Sequence, residues 1–255
     1  RYLDKFVRGE IKRLMVFSPP RHGKSETVSR RLPAYILGRD PTAKFVAVSY
    51  SADLAQSMNR DVRRVLESSQ YQELFPDTKL PTDADTGYIK RAHTFELVGQ
   101  SGGYRSVGIG GSLSGFGATH CAIDDPIKNA QDAASPTYRN TVWEWYQSVL
   151  LTRMEKNDSI LLTLTRWHEN DLAGRLLELA KADSQADQWA VISFPAIRGT
   201  EVNPDDPRKE GEALWPARFP ADKLLGVKAS VGSRVWESLY QQRPTALEGG
   251  YIKRH

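Results

Sequence analysis

The apolar residues of this chain fall into two rhythms. Short, nearly continuous apolar runs occur at 11–17 (IKRLMVF), 44–50 (KFVAVSY), 119–124 (THCAID), 159–165 (SILLTLT) and from Trp189 to Ala196. Runs of that length and density predict strands covered on both faces. Between them, apolar positions recur at helical spacing. One helix is predicted from Gly23 to about Leu37, stopping near Gly38 and Pro41. A second spans about Ala52 to Ser68, with Leu54, Ala55, Met58, Val62, Val65 and Leu66 on its apolar side. Ser135-Pro136 reads as a helix start, with Ser as N-cap and Pro in the first helical position. That helix runs to about Met154 and carries Trp143, Trp145 and Tyr146. Asn170-Asp171 opens another.

The remaining segments read as connections. Residues 76–92 are rich in turn formers, Lys156-Asn157-Asp158 is a turn, and residues 199–212 form a polar, proline-containing surface loop. From Thr94 to Gly117 the pattern is strand, glycine turn, strand and glycine-rich loop. It predicts a β-hairpin with Gly102-Gly103 at its tip. The last 40 residues read as two short helices and a tail. No internal repeat or low-complexity tract is visible. Strands alternating with helices predict an α/β fold with a mainly parallel central sheet flanked by helices. The expected division is a core over 1–215 and a small C-terminal helical or linker subdomain over 216–255.

Composition narrows the class. The 255 residues are 40% hydrophobic and 26% charged, the balance of a globular protein and not of a disordered tail or a fibre. No run approaches the roughly 18 apolar residues that a membrane helix needs, so no membrane partner is expected. Cys121 is the single cysteine, so no internal disulfide can form, which fits a reducing compartment. No secretory signal is visible, and Arg1 in place of an initiating Met suggests a fragment of a longer protein. The net charge of +4 is unevenly spread. Residues 1–40 hold ten Lys/Arg against four Asp/Glu, a net of +6, and the remainder sums to −2. A basic N-terminal segment points to anions meeting the protein there; a solvated basic surface is the plainer alternative.

Ser18-Pro19-Pro20-Arg21-His22-Gly23-Lys24-Ser25 has the form of a phosphate loop, G-x-x-x-x-G-K-[ST], with Ser18 in place of the first glycine. It sits between a predicted strand and a predicted helix, the context that motif requires. Backbone N–H groups would curl around phosphate oxygens, which favours Gly23 where the backbone approaches closely; Ser18, Pro20, Arg21, His22, Gly23, Lys24, Ser25 and Glu26 are the residues expected at the cofactor. Lys24 reaches the outer phosphates, Ser25 offers a hydroxyl to Mg²⁺, and the helix adds the positive end of its dipole. Arg21 is a second cation that can meet the terminal phosphate in the transition state, or a loop-surface charge. His22 reads as structural.

Cys121-Ala122-Ile123-Asp124-Asp125 is a strand ending in two carboxylates, about a hundred residues after the phosphate loop. The pattern assigns Asp124 to Mg²⁺ and Asp125 to general-base duty on an attacking water. A turn with helix-capping duty before Pro126 is the alternative. A strand ending at Thr165-Arg166 supplies a polar element that can sense the γ-phosphate, with Thr163 as the second choice. The competing view is ordinary strand threonines and a surface arginine.

With these residues in place, the chain resembles the large terminase subunit of tailed bacteriophages. The likeness rests on residues 18–26 (SPPRHGKSE), 37–41 (LGRDP), 49–55 (SYSADLA), 123–129 (IDDPIKN), 165–172 (TRWHENDL) and 240–244 (YQQRP). The resemblance implies a P-loop NTPase of the additional-strand type, followed in the family by a nuclease domain of RNase H-like fold. It implies ATP and Mg²⁺ as cofactors, with Lys24, Ser25 and Asp124 at the nucleotide. Asp125 takes the place of the catalytic glutamate, and Thr165-Arg166 falls at the coupling motif. It also implies partners: double-stranded DNA held by its phosphates, a homo-oligomeric ring on the portal, and the small terminase subunit, in the host bacterial cytoplasm. No nuclease carboxylate cluster is apparent, so no DNA cleavage is expected. The arginine that acts across subunits is not assigned; Arg105 and Arg139 are its candidates. A helicase-like ATPase, a non-hydrolysing assembly scaffold and a DNA-cutting module are the competing functions.

Overall fold

In a computed structural model of the chain, residues 1–201 and 206–244 are described. The tail predicted beyond 244 and part of the 199–212 loop lie outside them. In chain order the elements are α1 (Tyr2–Val7), β1 (Arg13–Phe17), a π-helical turn (Glu26–Arg31) running into α2 (Leu32–Arg39), and β2 (Lys44–Ser49). Then come α3 (Ala52–Leu66), α4 (Ser69–Leu74), β3 (Thr94–Glu96), β4 (Gly103–Gly108) and β5 (Ala118–Asp124). α5 (Ala130–Ala134), α6 (Pro136–Trp145) with the helical turns Tyr146–Leu150 and Leu151–Arg153, β6 (Met154–Leu164), α7 (Leu172–Ala182), β7 (Ala190–Ser193) and α8 (Ala221–Val235) follow. The described strands hydrogen-bond in the order β3-β4-β2-β5-β6-β1-β7. β2 pairs parallel with β4 and with β5, and β5 parallel with β6; β3 is antiparallel to β4.

The chain divides into two compact units: residues 1–14, 23–127 and 140–163 form the first, and 15–22, 128–139 and 164–255 the second. In the first unit β2 is central. Phe45, Val46, Ala47 and Val48 are all buried, as expected of a strand covered on both faces. α3 turns Ala55, Met58, Val62 and Leu66 inward, and its N-cap Ser51 Oγ accepts from the Leu54 amide. In the second unit Ala196, Ala213, Leu224 and Trp236 form a core cluster, joined by Phe219 and Tyr240.

Several local expectations change. The helix after the phosphate loop widens to a π turn over Glu26–Arg31, just before Pro33, which has no N–H to give the carbonyl one turn back. Lys156-Asn157-Asp158 is not a turn between elements. It lies inside β6 as an irregularity, with Asn157 at φ 68° and a register shift between Ala118 and His120. The hairpin forms, but Gly102 and Gly103 lie at the entry to β4 and not at the tip. A Cβ on Gly102 would stand 2.2 Å from the Pro41 carbonyl oxygen, and one on Gly103 2.6 Å from that of Phe95. Its second strand pairs along β2, so the hairpin widens the main sheet. α1 and α4 are too short to leave a periodic signature. The C-terminal helical segment breaks at Gly232 (φ 78°) before a π-helical turn, Trp236–Tyr240.

Candidate nucleotide-binding site

In the first unit the site grows from the helix that begins after Gly23 and from the carboxyl end of β5. Gly23 has φ 88°, a left-handed value that glycine adopts without strain. Its carbonyl accepts from the Thr27 amide at 3.0 Å and starts the helix. No atom lies within 4 Å of where its Cβ would be, so backbone conformation, not crowding, selects glycine here.

Asp124 ends β5 with 1% exposure. Its Oδ2 accepts from Ser29 Oγ at 2.6 Å, and its Oδ1 is buried with no hydrogen-bond partner. Burial first, then the charge of Asp125, push its carboxyl above the usual range. The hydroxyls of Ser29 and Ser25 and the Lys24 ammonium pull the other way. Asp125 follows at φ 46°, a strained value for a non-glycine residue. Its amide donates to the Thr163 carbonyl at 3.0 Å, and its Oδ1 stands 3.4 Å from Lys24 Nζ. Lys24 is buried, while the Asp125 side chain is 31% exposed. The structure therefore brings together Lys24, Ser25, Asp124 and Asp125.

Sequence reasoning missed Ser29. Its signal was its position one turn beyond Ser25 on the same helix face. Thr163, the second choice for a sensor, is Asp124's neighbour in the β5–β6 register. Glu26 points along its helix instead, accepting from Arg30 at 2.9 Å and Arg31 at 2.8 Å; those hydrogen bonds hold its carboxyl below the usual range.

The other predicted residues lie in the second unit. Ser18 is buried, and Arg21 is exposed with φ 61°. His22 Nδ1 lies 2.8 Å from the Pro20 carbonyl oxygen, and its ring packs on Phe219 at 4.7 Å between centroids, a structural contact. Thr165 and Arg166 are both buried, so Arg166 is not the surface arginine of the alternative view. Its Nε donates to Asp171 Oδ2 at 2.8 Å, and its guanidinium lies 4.9 Å from the Phe17 ring centre. Asp171 also caps α7, accepting from the Gly174 amide at 2.9 Å. Arg105, in the first unit, reaches the Ser114 carbonyl at 3.3 Å. Arg139, in the second, donates to the Ala133 carbonyl and is 9% exposed.

No group of three or more His, Cys, Asp or Glu that could hold a metal occurs among the described residues. Mg²⁺ at a nucleotide needs few protein ligands, because phosphate oxygens and water complete its octahedron. The unpartnered Oδ1 of Asp124, on a carboxyl that the Ser25 hydroxyl also acts on, fits that requirement.

A mainly parallel sheet, a strand–loop–helix with Gly-Lys-Ser at the turn, and a buried acid from another strand end beside that serine define a P-loop nucleotide-binding domain. The family model for the terminase large subunit, T4likevirus-type, N-terminal, matches residues 15–223, and the chain belongs to that family. Among solved structures, a mutant ATPase domain of the Thermus phage P74-26 large terminase is similar with a TM-score of 0.60. The identity is 13%, over 96% of this chain and 94% of that one. A second structure of that phage's ATPase domain gives 0.58 at 14% identity, covering 96% of this chain and 93% of that one. The HK97 bacteriophage large terminase is similar with a TM-score of 0.57 at 12% identity, covering 95% of this chain and 50% of that one. At these identities the likeness speaks for the fold. No relative among curated proteins matches the chain.

Proposed function

We propose that this domain hydrolyses ATP and uses it to move double-stranded DNA into a procapsid. The observation that carries the reading is the buried Asp124, with one oxygen bound by Ser29, the other without a hydrogen-bond partner, and the Ser25 hydroxyl acting on the same carboxyl. Membership of the terminase family supplies the DNA and the capsid.

In this reading Ser25 and Asp124 hold Mg²⁺, which when bound neutralises charge on the outer phosphates. Lys24 exchanges Asp125 for phosphate oxygens, and the released Asp125 carboxylate takes a proton from the attacking water. The left-handed backbone at Asp125 and its amide bond to Thr163 fix where that carboxylate starts. The N–H groups of the 18–26 loop, those of residues other than Pro19 and Pro20, enclose the phosphates, and the exposed Arg21 meets the terminal one. Thr165 carries the hydrolysis signal, positioned by Arg166 and its pairing to Asp171. An arginine of a neighbouring subunit completes the site. A single chain then turns over slowly, because a missing arginine finger costs on the order of 10³–10⁵ in rate. The working assembly is a homo-oligomeric ring on the portal, fed by the small terminase subunit in the host bacterial cytoplasm. DNA is held by its backbone without regard to sequence.

Phosphate release from Mg-ATP by the 255-residue chain, raised by duplex DNA and absent in Lys24→Ala, is the expected result. Release unchanged in Lys24→Ala would remove the assignment. No release from the unaltered chain in any assembled form would favour a nucleotide-dependent scaffold. Strand displacement with a preference for single strands would favour a helicase.

A further inference from the structure

We infer that the second unit holds a separate site for a phosphate-class anion, built from Arg139, Arg175, Arg234 and His168. Apart from Arg139, one of the two candidates for the arginine that acts across subunits, it uses none of the residues placed at the nucleotide.

Arg139 is the centre of this site. It stands early in α6, is 9% exposed, and its Nη1 donates to the Ala133 carbonyl. Its Nε is buried and has no hydrogen-bond partner. No carboxylate among the described residues forms an ion pair with it. A guanidinium buried with an open donor and no counter-charge is costly, and proteins ordinarily remove that cost with a carboxylate or a bound anion.

The charge of Arg139 acts on two further basic groups, His168 and Arg175. The His168 imidazole Nδ1 accepts from the Asn170 amide at 2.9 Å, and Arg175 Nε donates to Asn170 Oδ1 at 2.6 Å. One asparagine thus ties an imidazole and a second guanidinium side by side at the start of α7. Arg234, exposed just after the Gly232 break in α8, also acts on His168. Burial first, then Arg139, holds the His168 imidazole below its usual proton affinity; Arg234 and Arg175 add to this, and Glu169 opposes it. Burial and then Arg139 lower Arg175 in the same way. Asp171, the nearest acid in sequence after Glu169, is occupied by Arg166. His168 and Arg175 thus share Asn170, and the charge of Arg139, whose buried Nε–H is open, acts on both.

Forked guanidinium donors match the oxygens of a tetrahedral phosphate. The phosphate can come from a duplex backbone or from a nucleotide, and the test separates them. Inorganic phosphate is titrated into the 255-residue chain while the Arg139 Nε–H and the His168 ring are followed by NMR. Saturable movement of the Nε–H at roughly millimolar phosphate and a rise in the His168 pKa are expected, with no such change from acetate at equal ionic strength. The solvent-accessible double variant Arg175→Gln/Arg234→Gln leaves Arg139 in place, so the fold is kept; it should weaken the phosphate response about tenfold. No response in the unaltered chain, an equal response in the double variant, or the same response to acetate overturns the inference.

Short duplex DNA that moves the Arg139 signal, with a salt slope lower by about 1–2 in the double variant, assigns the backbone as source. ATP that moves it while DNA does not assigns a nucleotide. The Lys24→Ala chain separates this site from the one above. Phosphate still moves Arg139 there if the two are distinct, even where turnover is lost. If Lys24→Ala abolishes the movement, the anion sits in the nucleotide site and the inference fails.

Discussion

Asp124 in the first unit and Asp171 in the second are each 1% exposed, and burial pushes both carboxyls above the usual range. Their surroundings differ. Asp171 has both oxygens occupied, by Arg166 Nε and the Gly174 amide. Asp124 has one oxygen on Ser29, the other without a partner, and a like charge next door at Asp125. A buried carboxylate that is fully paired holds structure in place. One left half-paired beside a hydroxyl and an ammonium is prepared for a cation it does not itself supply. Burial alone does not tell the two apart; the count of satisfied oxygens does.

The largest expected effect lies beside Asp124. Asp125→Ala should lower ATP turnover by about 10²–10⁴, the usual contribution of a general base, while Mg-ATP binding stays near that of the unaltered chain. Phosphate release and equilibrium nucleotide binding, measured together, check this. If binding goes with turnover, Asp125 is a ligand and the two acids have been given each other's roles.

Thermal unfolding separates the two buried acids next. Asp171→Ala leaves Arg166 buried without its partner and uncaps α7. It should cost about 3–5 kcal/mol, a fall in Tm of roughly 10 °C. Asp124→Asn keeps an oxygen for Ser29 and removes an incompletely compensated buried charge. Its Tm should not fall, yet Mg-dependent nucleotide affinity should drop by about tenfold or more. A Tm loss in Asp124→Asn equal to that in Asp171→Ala would erase the distinction.

The smallest effect is in pH. His120 in the first unit and His168 in the second both have lowered proton affinity, burial being the first cause for each. Below the unfolded value of about 6.5 the unfolded chain takes up protons that the native imidazoles refuse, so stability falls as pH drops from about 7 towards 5. Denaturant unfolding at a series of pH values should show that slope. His120→Gln should remove part of it. Added salt should flatten the His168 part, where Arg139, Arg234 and Arg175 act through charge, and not the His120 part, where the charges of Asp40 and Asp158 oppose the shift. A slope unchanged in His120→Gln would assign the effect elsewhere.

Much of the fold that carries the candidate site was legible in the chain. β2 and β5 are dense apolar runs whose burial leaves no second reading, and the phosphate loop and Asp124-Asp125 fall at strand ends because such sheets place ligands there. The Asn157 irregularity was not legible, since the same residues serve equally as a turn or as a bulge and only the partner strand decides. Nor was Ser29, a small polar residue in an ordinary helical position until β5 is laid beside it. Arg166 shows the limit from the other side: its sequence allowed a surface charge, and packing on Phe17 with Asp171 buried it.

By itself, the order of residues determined the alternation of strands and helices, the left-handed turn that needs Gly23, and which carboxylates stand at a strand end. These are consequences of local sterics and of the spacing of apolar side chains, which act within a few residues. The tertiary structure decided which acid is left half-satisfied, which arginine is neutralised and which is left open. Hydrogen bonds and charge compensation in a low-dielectric interior depend on residues brought together from distant parts of the chain, and no local pattern specifies them.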